Sequence, residues 1–228
     1  MPSKVLGRVG SGTVAASPFT IGTVVNTGRA EVRFAPVQIA HQSWINPLAI
    51  VTNAVVTAKT GAALPAAAGT VTFLPDGAQA AGFIFPRNAV VTVTHGSSVV
   101  AASGVIAGLD EYGTAITEAW SVTATGTSKV YTGVKAFARV RSITYVTAAD
   151  ASANTIIVGT GKTLGLNFAC SCASPVKEVA GGSVVTTGVL VAASTAATAD
   201  SRGTYTPAAT LDGAIDFEIW TLCNDVSA

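Results

Sequence analysis

No window of about eleven or more residues in this chain spaces its apolar side chains three and four apart, whereas short alternating or β-branched runs recur from one end to the other. The runs are EVRFAPVQIA (31–40), AIVTNAVVTA (49–58), GTVTFLP (69–75), NAVVTVTH (88–95), SVVAASGVIAG (98–108), AITEAWSVTA (115–124), VRSITYVTA (140–148), NTIIVGT (154–160) and IDFEIWTL (215–222), and Gly, Pro, Asp or Asn bound most of them. A β-branched residue loses rotamer freedom in a helix and packs well on a pleated surface, so these runs predict strands. Many short strands between turn signals imply an all-β fold, a β-sandwich or jelly-roll-like domain, rather than alternating strands and helices.

Local composition divides the chain. Residues 1–30, rich in Gly, Ser and Thr with little alternation, read as an extended N-terminal arm that orders on a partner. Residues 31–75 form a β-rich segment ending in TGAALPAAAGT (60–70), a linker or long loop. Residues 76–173 hold the densest strand pattern and are expected to form the sandwich. Residues 174–228 pass through the small-residue run AASTAATAD (192–200) and finish in one clear strand bearing Trp220, which could pair back with the 31–75 segment.

With 49% hydrophobic and only 11% charged residues, the polar surface must come from Thr, Ser, Asn and backbone, a surface suited to packing against other protein. Net charge is +1 without a Lys/Arg cluster, so the chain lacks the electrostatic footprint that nucleic acid or an anionic membrane would select. Apolar runs stay far short of the roughly 18 residues of a spanning helix. The start MPSKVLGRVGSG lacks the apolar centre of a secretory signal, and the expectation is a protein made and used without export by that route. Cys170, Cys172 and Cys223 make an odd set that argues against a disulfide framework and for reduced thiols.

Several stretches invite chemistry. GTGKT (159–163) suggests a phosphate loop, but the motif needs Gly where Ile156 stands, the dinucleotide variant needs Gly where Leu164 stands, and LGLNFACSC does not continue as an amphipathic helix. Cys170 and Cys172 would share one strand face about 7 Å apart, yet a metal would draw its remaining ligands from distant Cys223, His41, His95 or carboxylates. Small buried thiols are the simpler reading. The histidines lie in unrelated contexts and no Gly-x-Ser-x-Gly elbow is present. Trp44, Trp120 and Trp220 could stack on sugars, but each stands in or beside an alternating apolar segment and is expected in the core or at an interface. No cofactor and no metal is expected.

GLDEYGTAITEAW (108–120) packs Asp110, Glu111 and Glu118 beside Tyr112 and Trp120. Asp-Glu-Tyr-Gly is turn-like, with Gly113 free to take positive φ, and the alternation that follows puts Glu118, Trp120 and Val122 on one strand face. Asp110 and Glu111 would then be neighbours in a solvated turn rather than an acid/base pair across a cleft.

The order FPRNAVVTVT, SGVIAGLDEYGTAITEAWSV, GVKAFARVRSITYV, NTIIVGTGKTLGL resembles a recurring β-rich module of tailed-bacteriophage virion proteins, and DSRGTYTPAATLDGAIDFEIW is similar to an ending seen in such structural proteins. The likeness spans roughly residues 83–168 and 200–220 and carries no catalytic residues. It implies a non-enzymatic capsid decoration or cement protein on the outside of the head, assembled in the host cytoplasm. Its partners would be the major capsid protein and itself, as a homotrimer at threefold positions, with neither nucleic acid nor membrane. The structural residues it points to are Arg87, Asp110, Tyr112, Gly113, Glu118, Lys135, Phe137, Gly159 and Gly161. Asp110 and Tyr112 are expected to hold the turn, Arg87 to pair with Glu118 or Asp110, and Phe137 to lie in the core. Rival readings are a tail, neck or head-fibre protein and a carbohydrate-binding β-sandwich.

Overall fold

The computed structural model describes residues 37–170 and 175–224. The arm expected over residues 1–30 and Cys172 lie outside the described residues. The fold is all-β: among the described residues there are fourteen strands and one helical turn, the 3₁₀ segment Gly61–Ala63. In chain order the strands are β1 (Val37–Trp44), β2 (Val56–Thr60), β3 (Gly69–Phe73), β4 (Arg87–His95), β5 (Ala102–Leu109), β6 (Ala115–Val122) and β7 (Ser128–Phe137), then β8 (Arg139–Thr147), β9 (Asn154–Gly165), β10 (Pro175–Ala180), β11 (Ser183–Val185), β12 (Val189–Ala192), β13 (Gly203–Thr206) and β14 (Phe217–Asn224).

Three antiparallel sheets pack together in a sandwich-like arrangement. The central one runs β12-β13-β9-β4-β7, with β2 also pairing β9; the other two run β3-β8-β5-β6 and β1-β14-β10-β11. Between the central sheet and β3-β8-β5-β6 lies the larger core, which includes Val91, Ile106, Trp120, Phe137, Ile143, Tyr145 and Ile156. A second core joins Trp44, Phe217 and Ile219 of the β1–β14 pair to Leu190, Tyr205, Leu164 and Leu166. Strand β9 belongs to both: Ile156 and Val158 serve the first core, Leu164 the second. On one edge β9 pairs with β4 almost throughout; on the other it meets β2 along its first half and β13 at its end.

The alternation legible in β6 becomes packing, with Glu118, Trp120 and Val122 buried and Thr117, Ala119 and Ser121 exposed. Strand β1 pairs with β14 along its whole length, from Val37 opposite Asn224 to Trp44 opposite Phe217, so the first and last described strands lie side by side. The region after residue 174 holds five strands rather than the single one expected, because β10 to β13 are only three to six residues long and too short to show a period. GTGKT lies inside β9, its Gly159 and Thr160 paired with β4, so these residues are extended backbone and not a phosphate-cradling turn.

Candidate functional site

Where β9 passes from one core to the other, the ladders on both sides of β4 break: between Arg87 and Ala89 toward β9, and between Asn88 and Val90 toward β7. A break of this kind leaves backbone groups without ladder partners, and buried backbone groups must find others. The two side chains at the break supply them. Arg87 donates from Nε (3.0 Å) and Nη2 (2.6 Å) to the Gly161 carbonyl, and from Nη1 to the Leu48 carbonyl (2.7 Å). Asn88 donates to the Gly133 carbonyl (2.8 Å) and accepts from the Thr163 N–H (3.0 Å). Both residues are buried.

This overturns the expected pairing of Arg87 with Glu118 or Asp110. The guanidinium is satisfied by carbonyl oxygens, a planar fork meeting the lone pairs that the ladder break leaves open. Burial lowers its pKa to about 10, so it stays charged at neutral pH. Gly159 and Gly161 flank the same point. A Cβ at Gly161 would strike the Asn88 amide, and one at Gly159 would strike the backbone of Val51 and Thr52, where the β1–β2 connection crosses β9.

Glu118 holds a second junction, between β6 and β7. Its Oε1 accepts from the Val134 N–H (2.6 Å) and the Tyr131 hydroxyl (3.1 Å), and its Oε2 from the Lys135 N–H (3.4 Å). Burial pushes the carboxyl pKa up, and these hydrogen bonds oppose that rise without cancelling it. The Tyr131 phenol is pushed up to about 12 by its own burial and then by the Glu118 charge and hydrogen bond. Lys135 answers in the other direction, donating from Nζ to the Thr117 carbonyl (2.9 Å). Since β6 and β7 are edges of two different sheets, Glu118 and Lys135 close the corner between them by occupying edge-strand backbone groups. Phe137, at the end of β7, is fully buried in the larger core.

The β5–β6 turn is held as its sequence implies: Asp110 Oδ1 accepts from the N–H groups of Tyr112 (2.9 Å) and Thr114 (2.8 Å), and Gly113 sits at φ +80°. Asp110 is not solvated, however. Its Oδ2 pairs with Arg202 Nη2 at 2.9 Å, with the two side chains only 11% and 13% exposed, because the β12–β13 loop folds over the turn. Arg202 also lies over the Tyr112 ring at 4.3 Å, and the Tyr112 hydroxyl donates to the Asn167 carbonyl. Arg202 and its neighbour Asp200, which accepts from the N–H groups of Ala136, Arg202 and Gly203, were not singled out from the sequence. Nor was Glu178, buried in the second core and hydrogen-bonded by Tyr205 and by the Gly188 N–H. Arg202 finds Asp110, Asp200 finds Ala136 and Glu178 finds Tyr205 across tens of residues, at spacings without local signature.

Asp110, Lys135, Asp200 and Arg202 border a cavity of about 170 Å³. That is well below the roughly 300 Å³ at which pockets for small organic ligands begin. All four charged groups there are engaged within the protein. Trp44 and Trp120 are buried, and Trp220 is flanked from its two neighbouring strands, by His41 stacked at 4.6 Å and by Lys177 at 4.9 Å. Sugar stacking needs a bare aromatic face, and these contacts cover the one tryptophan that reaches the surface.

The outward faces are instead uncharged or apolar over wide areas. Exposed large side chains include Ile39 and Val184 on the β1-β14-β10-β11 sheet, Val130 and Val134 on β7, Val189 and Val191 on β12, and Leu74 and Ile84 in connections. No helix among the described residues is long and apolar enough to cross a membrane, and no three metal-ligating side chains cluster there. Compared with protein-family models, with curated proteins and with solved structures, the chain finds no match in any of the three.

Proposed function

We propose that this chain is a non-enzymatic structural protein of a tailed-phage virion, bound to the outside of the head, where it stabilises the shell by clamping neighbouring major capsid protein subunits. The observation that carries the reading is the division of labour between charge and surface. Four of the charged residues in its phage-like motifs, Arg87, Asp110, Glu118 and Lys135, are engaged in holding turns, ladder breaks and strand edges, while Glu111, Arg139 and Arg141 of the same motifs are exposed. The outward faces meanwhile carry exposed isoleucine, leucine and valine, and the face of β3-β8-β5-β6 bears no charge beyond the start of β8. Catalysis asks for the reverse, titratable groups converging on a cleft.

Large uncharged faces become useful when covered by protein. A standard interface buries about 1,600 Å², and repetition over a shell multiplies a modest contribution per copy. Assembly with other copies of the chain belongs to the same reading.

Quantitative mass spectrometry of purified particles, with labelled protein located on them by electron microscopy, tests it. Hundreds of copies spread over the head are expected. A dozen or fewer at one vertex would move the protein to the neck or tail, and absence from particles would overturn the reading. Stripped particles should also regain heat resistance when the purified chain is added back.

A further inference from the structure

The sheet β3-β8-β5-β6 turns one face into the larger core and leaves the other uncovered by any described residue. Apart from Arg139 and Arg141, exposed at the start of β8, that outer face is uncharged. Its central positions are Val105, Thr117, Ala119, Ser121, Thr144 and Val146, all short side chains of similar height. Along β3, β5 and β6 the sole charged residue is Glu118, which points inward, and β8 contributes charge only at its first turn, as Arg139 and Arg141. The other two sheets do carry exposed or half-exposed charge: Lys177 and Glu218 on one, Lys59, Lys129 and Lys162 on the other.

We infer that this face is buried against the same face of other copies of the chain, about a rotation axis that passes through it. Near a rotation axis each side chain meets its own symmetry mates, so a charge there is repelled by identical charges and only a neutral patch is complementary to itself. Three strands of eight or nine residues and β3 of five, about 4.8 Å apart at about 3.4 Å per residue, present ~500 Å². Two such faces together bury ~1,000 Å², the lower bound for a specific interface. The polar groups on the face are already partly engaged: the Thr144 hydroxyl accepts from the Val105 N–H at 2.7 Å and donates to the Val105 carbonyl at 3.4 Å, so covering it strands no donor. Short side chains also let two sheets approach to the usual packing distance of about 10 Å. The inference shares with the proposed function only its self-association and stands or falls on the isolated protein.

Sedimentation velocity of the full chain across concentrations up to the order of 100 μM tests it. The unaltered chain should form a closed oligomer, while Val105→Lys and Ala119→Lys should sediment as monomers with an unchanged far-UV circular dichroism spectrum. Val184→Lys, on the distant β1-β14-β10-β11 sheet, should leave the oligomer intact. Ser121→Lys, further along the same face, repeats the test should either lysine variant fold poorly. An unaltered chain that remains monomeric overturns the inference, and so does an oligomer that the Val105 and Ala119 variants leave whole. A monomer whose lysine variants lose binding to particles would equally overturn it, assigning the face to the shell.

Discussion

At the scale of single residues, the buried charges of this protein hold backbone. Removing Glu118 strands two β7 N–H groups and the Tyr131 hydroxyl, so Glu118→Ala should lower stability by about 3 kcal/mol in chemical denaturation. An unchanged midpoint would show that water replaces the carboxylate at the corner. Because the folded state raises the pKa of Glu118, it binds the proton more tightly than the unfolded chain does. The stabilisation that follows is complete below the ordinary glutamate value near 4.5 and is lost as pH rises through the folded pKa. Glu118→Gln should therefore flatten the decline of stability above pH 4.5, measured as melting temperature against pH, and an undiminished slope would assign that decline elsewhere. Asp110 and Arg202 form a nearly buried pair that ties the β5–β6 turn to the β12–β13 loop. Asp110→Asn and Arg202→Met should each cost about 3 kcal/mol, and the double variant clearly less than the sum, since the first change already leaves the partner uncompensated.

At the scale of elements, β9 works because two glycines stand where the chain is crowded. Gly161 faces the Asn88 amide that satisfies the ladder break, and Gly159 lies under the β1–β2 connection. Gly159→Ala and Gly161→Ala should each destabilise by about 1–3 kcal/mol through displaced backbone, read as denaturant midpoints. Alanine at Gly96, where a Cβ would meet nothing within 4 Å, should be close to neutral. Equal effects at the three sites would mean that β9 shifts to accept a methyl group. The β6–β7 corner shows the complementary device, in which Glu118 and Lys135 engage the backbone of two edges that would otherwise recruit strands from other chains.

At the scale of the whole molecule, two cores share one strand. Ile156 and Leu164 stand eight residues apart on β9 and belong to different cores, so neither core is complete without the same ladder with β4. Leu164→Ala should cost about 2–5 kcal/mol and should reduce amide hydrogen-exchange protection in β5 and β8 as well as in β13 and β14. Protection lost around the second core alone would show that the two unfold as separate units.

The all-β class, the strands of the middle of the chain, the turn at Asp110–Gly113 and the inward face of β6 were legible in the sequence, because period-two alternation and turn chemistry are local properties that residues carry wherever the chain goes. The partners of Arg87, the burial of Asp110 beneath Arg202 and the second core around Glu178 and Tyr205 were decided only by the tertiary structure. Each of these contacts joins segments tens of residues apart. A buried charge takes whichever donor or acceptor the assembled sheets bring to it, and for Arg87 that was the Gly161 carbonyl at a broken ladder and the Leu48 carbonyl of the β1–β2 connection, which no spacing of residue types announces.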